Sequence, residues 1–139
     1  MSVQAQVVNL LLELQDNLGL TVLFVAHDLR LVRHVSHRVA VIYLGAIVEI
    51  GPSEALFSKP MHPYSQALLA AAPSLDPTKR RRAPALSGEL PSPLDIPPGC
   101  PFHVRCPLAA DLCRRERPVL RPVGNGMTAC HFAETIGGA

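Results

Sequence analysis

Apolar residues recur every three or four positions at the start of the chain: Val3, Val7, Leu10, Leu11, Leu14 and Leu18. That period predicts a helix over 3–17 lying against a sheet, with Gly19 as its left-handed cap. An unbroken apolar run, Val22-Leu23-Phe24-Val25-Ala26, follows Thr21. Its length and β-branched content predict a strand over 21–26 buried on both faces, as in a parallel sheet. Asp28 is placed to cap a short helix through about Val35, with Leu29, Val32 and Val35 inward. Arg38–Leu44 and Ile47–Ile50 predict a hairpin about Gly45-Ala46. Gly51-Pro52 ends that run. Ser53 and Glu54 open a short helix to about Lys59, and Pro63 fits the first turn of another, to about Ala72. Ala67, Leu68 and Ala71 form its apolar face, and His62 and Tyr64 at its head read as packing residues.

The periodicity then stops. All 14 prolines lie at or after Pro52, and all four cysteines at or after Cys100. This shift predicts an α/β part over 1–72, an extended proline-rich linker over 73–98, a loop-rich cysteine segment over 99–134 and a tail over 135–139. Repeated X-Pro bonds favour polyproline-like geometry in the linker, laid along a surface. The opening helix-then-strand unit calls for an earlier parallel strand, so the chain reads as truncated.

Charge and length narrow the classes. A chain of 139 residues buries one modest core and an appendage. A net charge of +2 is too mild to argue for nucleic acid. The one basic run, Lys79-Arg80-Arg81-Arg82, sits among prolines and reads as a solvated linker. No segment reaches the ~18 apolar residues of a membrane span; Val39 to Ile50 comes nearest but is interrupted by Gly45 and Glu49. No basic end followed by an apolar run marks a signal peptide. These absences point to a cytosolic protein, docked if anywhere on a membrane protein.

Two constellations can carry chemistry. His27 stands where the predicted strand ends, and in open α/β sheets ligands bind beyond the carboxyl ends of strands. The plain alternative is a helix-entrance residue. Cys100, Cys106, Cys113 and Cys130 are spaced C-x5-C-x6-C-x16-C, which is neither the paired CxxC of zinc ribbons nor the CxxCxxC of bacterial ferredoxins. Disulfides, buried free thiols and metal or cluster ligation all remain open. A reducing compartment argues against the first, and the need to order so irregular a segment favours the last.

Val25-Ala26-His27-Asp28-Leu29, with Ser2-Val3-Gln4-Ala5-Gln6-Val7 before it and Met61-His62-Pro63-Tyr64-Ser65-Gln66-Ala67-Leu68 after it, resembles the ATPase subunits of oligopeptide/dipeptide ABC importers. Gly88-Glu89-Leu90-Pro91-Ser92-Pro93 is similar to their G-E-x-P-S-P segment. Gly99-Cys100-Pro101-Phe102-His103-Val104-Arg105-Cys106-Pro107-Leu108-Ala109 is similar to their GCxFHPRCPxA motif, with Val104 where proline is usual. Ala129-Cys130-His131 matches their terminal A-C-H. The resemblance implies the C-terminal portion of a P-loop NTPase domain, starting past the D-loop, followed by a small irregular four-cysteine domain. It makes His27 the switch histidine that reads a γ-phosphate. It places ATP and Mg2+ in the complete subunit only, because the phosphate loop, signature and Walker B segments are absent from this sequence. The isolated chain is therefore expected neither to hydrolyse nor measurably to bind ATP. In some members the four cysteines hold a 4Fe–4S cluster; zinc is the other candidate, with His103 and His131 as substitute ligands, hydrogen-bond donors to the site or, more simply, surface histidines. The implied partners are a second ATPase subunit, transmembrane permease subunits and, indirectly, a peptide-binding protein, with no nucleic acid. The implied place is the inner face of a bacterial or archaeal plasma membrane. The alternative is a standalone four-cysteine metal- or iron–sulfur-binding module with a structural or redox-sensing role.

Overall fold

The computed structural model describes residues 3–72, 88–89 and 91–137. It divides into two compact units, Met1–His37 and Arg38–Ala139. The basic run 79–82 and most of the expected linker lie outside the described residues.

In the first unit, helix α1 spans Val3–Leu18. Gly19 takes φ +62°, and Leu20 N–H reaches back to the Gln15 carbonyl at 3.3 Å. That six-to-one bond closes the helix as its glycine predicts. Helix α2 spans Leu29–Val35, and Asp28 caps it as expected. Leu29, Val32 and Val35 are half-buried.

The predicted strand over 21–26 does not form. Leu23 is 92% exposed and Val25 89%. A strand buried on both faces exists only through neighbours that take its ladder bonds and cover its sides. Among the described residues none pairs with it. For the same reason the α1 stripe is not sheet-covered: Val7, Leu10, Leu14 and Leu18 are exposed, although Val8 is buried.

The second unit is organised by one antiparallel sheet in the order β1-β2-β4-β3. Strands β1 (Arg38–Tyr43) and β2 (Ala46–Pro52) form the predicted hairpin. Its turn is Leu44-Gly45, one residue earlier than expected, with φ +46° and +74°. Two consecutive positive φ values match the hand of twisted strands, and glycine supplies one at little cost. Helices α3 (Ser53–Ser58) and α4 (Pro63–Ala71) follow. The buried positions of α4 are Pro63 and Ser65 rather than the expected Ala67, Leu68 and Ala71 stripe, because only its first turn reaches the core.

The cysteine segment is more regular than its composition predicts. A 3-10 turn at His103–Arg105, helix α5 (Asp111–Arg115), strands β3 (Arg121–Val123) and β4 (Gly126–Thr128), and helix α6 (Ala133–Gly137) succeed one another. Strand β4 pairs with β2 through Glu49↔Thr128 and Ile50↔Met127. The cysteine segment is thus welded to the hairpin sheet. Ahead of it, Ser92 accepts from Asp95 N–H and its hydroxyl from Leu94 N–H, so the described end of the proline-rich stretch turns rather than running straight.

The core gathers Tyr43, Val48, Cys100, Phe102 and Cys113, with Tyr64, Cys106 and Phe132 packed on it. Phe102 is 1% exposed; burying such a side chain contributes about 1.5–3 kcal/mol. Its ring lies 5.2 Å from Tyr43, edge-on, and 5.4 Å from Tyr64. Such pairs add about 0.5–1.5 kcal/mol beyond area. Phe132 also packs on a second cluster of Val123, Cys130 and Ala133.

Candidate functional site

His27 lies in the first unit, exposed and directly before the α2 cap. Asp28 Oδ1 accepts from Arg30 N–H at 2.9 Å and Leu31 N–H at 3.3 Å. The helix entrance therefore belongs to Asp28, leaving the His27 ring presented to solvent.

The second unit brings all four cysteines together. They line one cavity of about 10 Å³ with His62, Phe102, His103 and His131. None is in a disulfide. Each is placed by backbone constraints. Gly99, at φ +72°, lies so close to α5 that an added Cβ would sit 2.4 Å from the Cys113 carbonyl oxygen. Cys100 N–H then donates to that same carbonyl at 2.8 Å. Cys100 O accepts from His103 N–H at 3.0 Å and from His103 Nδ1 at 2.8 Å; a carbonyl only accepts, so Nδ1 carries the proton. Cys106 closes the 3-10 turn through its N–H to His103 O.

Cys130 is fixed from both sides. Arg121 donates to its carbonyl at 3.1 Å while pairing with Glu134 through both terminal guanidinium nitrogens, Nη1 and Nη2. Before it, Ala129 N–H donates to Val48 O at 2.8 Å. His131 Nε2 donates to Glu116 O at 3.0 Å, tying the strand to the end of α5.

Burial raises the Cys100, Cys106 and Cys130 thiols, Cys106 to about 11. These thiols are protonated near neutral pH, and a metal would bind by displacing their protons. Donor identity and convergence fit a thiophilic ion or cluster. Spacing is less complete: among the described residues no three His, Cys, Asp or Glu side chains are grouped at metal-holding distance. The cavity has room for about one water-sized sphere, so loading requires the side chains to rearrange.

Sequence reasoning missed a buried polar tie beside this cavity. Glu49, 4% exposed, accepts from Met61 N–H at 2.7 Å and His62 N–H at 3.0 Å. His62, 1% exposed, caps α4: its Nδ1 accepts from Tyr64 N–H at 3.0 Å. Burial lowers the His62 pKa to about 4, opposed by its bond to Ala129. Because Nδ1 accepts, the proton of the neutral ring is on Nε2. The only signal for Glu49 was a single acid inside an apolar run.

Residues 48–113 match the family described as oligopeptide/dipeptide transporter, C-terminal region. The chain is 56% identical over 94% of its length to a peptide ABC transporter ATP-binding protein of Sinorhizobium fredii, of which it covers 37%. The chain is similar over nearly its whole length to peptide ABC-transporter ATP-binding proteins. It is also 56% identical over 94% of its length to a peptide import ATP-binding protein of Brucella abortus, covering 39% of it. A relative of the same description in Brucella ovis is 52% identical over 97% of the chain, with 41% of it covered. The chain thus spans about two-fifths of the length of these curated relatives. The matched region begins in β2 and ends at Cys113, so it contains Glu49, His62 and three of the four cysteines. Among the described residues no helix is long and apolar enough to cross a membrane.

Proposed function

We propose that this chain works within the ATP-binding subunit of an oligopeptide or dipeptide importer, where ATP and Mg2+ binding and hydrolysis drive peptide transport. The supporting observation is the 56% identity to a peptide ABC transporter ATP-binding protein across 94% of the chain. In this reading residues 1–72 carry the switch-histidine region, 73–98 the linker and 99–134 the transporter-specific C-terminal region. His27 reads the γ-phosphate held by a phosphate loop supplied from outside this sequence. An exposed imidazole suits that role, because phosphoryl transfer depends on positioned groups around the transferred phosphate. The partners are a second ATP-binding subunit and permease subunits at the cytoplasmic face of the membrane. Labelled-peptide uptake by cells producing the importer with His27→Ala tests this. Uptake is expected to fall at least tenfold at unchanged protein level; full uptake overturns the assignment.

A second reading concerns the cysteines, and the convergence of four free thiols on one cavity favours it. Cys100, Cys106, Cys113 and Cys130 hold a 4Fe–4S cluster or a zinc ion that stiffens the C-terminal region. Metal analysis after anaerobic purification tests it. About four irons or one zinc per chain is expected; a metal-free protein overturns it.

A further inference from the structure

A second cavity of the second unit, about 330 Å³ in volume, shares no lining residue with the thiol cavity. Its floor is the cross-strand pair Glu49↔Thr128 of β2 and β4. Directly opposed residues share one face of a sheet, and these two are only 4% and 1% exposed. A bulge turns Glu49 inward. Strand β1 pairs Ile42 with Ile47 and then Val41 with Glu49, so Val48 is unopposed and two consecutive residues of β2 are buried. One wall is α3, with Leu56 and, at the helix end, Lys59. Another is the turn between β3 and β4. Gly124 takes φ +56° there, and a Cβ on Gly126 would stand 2.6 Å from the Ile50 carbonyl oxygen. Glycine at 126 thus lets the turn close onto the end of β2. The polar groups of this cavity are not fully matched. Each Glu49 oxygen uses one lone pair on the Met61 or His62 amide and keeps another. Among the described residues Glu49 has no cation at ion-pair distance, and the Thr128 hydroxyl makes no hydrogen bond. The exposed Lys59 ammonium has no acidic partner among them either.

We propose that this cavity is a binding site for a small zwitterion, an α-ammonium group with a carboxylate on the same aliphatic frame. The ammonium sits on Glu49 and Thr128, and the carboxylate meets Lys59. The aliphatic part lies against Leu56, Met61 and Val123, which also line the cavity. An ammonium has donors and no acceptor, which matches a carboxylate and a hydroxyl that both have lone pairs to offer. A buried carboxylate is stabilised by such a counter-charge. The volume is at the lower end of the roughly 300–1,000 Å³ of ligand pockets, which suits an amino acid or a dipeptide. The site uses none of the cysteines, so it stands whether or not they hold a metal.

The two sources of this chemistry are told apart by titrating the full chain with L-leucine and with L-leucyl-glycine, followed by calorimetry and amide NMR shifts. Leucinamide, which lacks the carboxylate, and 4-methylpentanoate, which lacks the ammonium, are the controls. Saturable binding of at least one zwitterion is expected, with shifts at the amides of Lys59 and Gly124–Gly126; the tighter of the two names the source. Thr128→Val keeps the shape and removes the hydroxyl, and it should bind about tenfold more weakly. Lys59→Met keeps the aliphatic stem and removes the charge. It should weaken the zwitterion about two- to fivefold and leave leucinamide no weaker than in the parent. Failure of both zwitterions to saturate the parent overturns the proposal. So does 4-methylpentanoate binding as tightly as leucine, because the cavity is then merely apolar. Unchanged zwitterion affinity in Lys59→Met or in folded Thr128→Val also overturns it. If Thr128→Val fails to fold by circular dichroism, intermolecular NOEs in the parent decide. Contacts from the ligand methyls to Leu56 and Val123 support the site, and contacts only to other residues overturn it.

Discussion

Glu49 Oε2 accepts the backbone N–H of His62 at 3.0 Å, and both residues are almost wholly buried. The other carboxylate oxygen takes Met61 N–H at 2.7 Å. A strand residue thereby supplies acceptors to two amides in the turn entering α4, for which, among the described residues, no backbone carbonyl serves as acceptor. Glu49→Ala is expected to leave both amides without this acceptor and to destabilise the second unit by about 2–4 kcal/mol. Glu49→Gln retains one neutral acceptor and should cost about half as much. Urea unfolding measures both, and equal stability of the alanine variant and the parent would refute the role.

His62 makes that unit sensitive to acid. Its folded pKa is lowered from 6.5 to about 4, with burial the larger cause. The neutral form is therefore the one the fold selects. Stability from this group is fully present above pH 6.5 and is lost as pH falls towards 4. By linkage the loss between pH 7 and pH 5 is about 2 kcal/mol. Urea midpoints of metal-free protein at the two pH values test it. His62→Gln, which cannot titrate, should flatten that window. A parent whose midpoint does not move from pH 7 to pH 5 rules the account out.

Elements held by local signals were legible in the sequence, and those held by distant partners were not. The 3.6-residue stripe and Gly19 marked α1, Asp28 marked α2, and Pro63 marked α4. The strand over 21–26 had the right residues, but a strand is completed only by neighbours. The hairpin turn fell one position early because leucine carries no sign that it will adopt a positive φ. Strands β3 and β4 are three residues each, too short to show alternation. The cysteines were evident as a group, but spacing left their convergence open. Glu49 interrupted an apolar run, and its function appeared only once the turn it serves lay opposite.

The Gly99 backbone offers a sharper test of how the thiol cavity is built. Its φ is +72°, and a Cβ there would stand 2.4 Å from Cys113 O and 2.7 Å from Arg114 O. Both contacts are to backbone, which cannot rotate away. Gly99→Ala combines left-handed strain of about 1–2 kcal/mol with overpacking of about 1–3 kcal/mol. It should also break the Cys100–Cys113 backbone bond of 2.8 Å. Thiol alkylation is the readout: Cys100 and Cys113 should react faster than in the parent. Unchanged reactivity of both would mean that the contact yields without disturbing the cavity.

Arg121 joins the last strands to the terminal helix by a route with its own titration signature. Its guanidinium pairs with Glu134 and also donates to the carbonyl of Cys130. The Arg121 hydrogen bonds hold the Glu134 carboxyl down to about 2 from an ordinary 4.5. A depressed carboxylate contributes stability above its unfolded pKa and loses it as pH falls through the folded value. The window here therefore runs from about 4.5 down to about 2. The pair is solvent-facing, so its energetic share is small and weakened by salt. The structural share is larger, because Arg121 leaves a second donor on Cys130. Arg121→Ala should return Glu134 to the ordinary carboxylate range in an NMR titration and raise alkylation of Cys130 above that of Cys113. Arg121→Lys keeps the charge but not the planar fork. It should lower the Glu134 pKa only part of the way while leaving Cys130 as reactive as in the alanine variant. A lysine variant that protects Cys130 fully would assign the effect to charge alone.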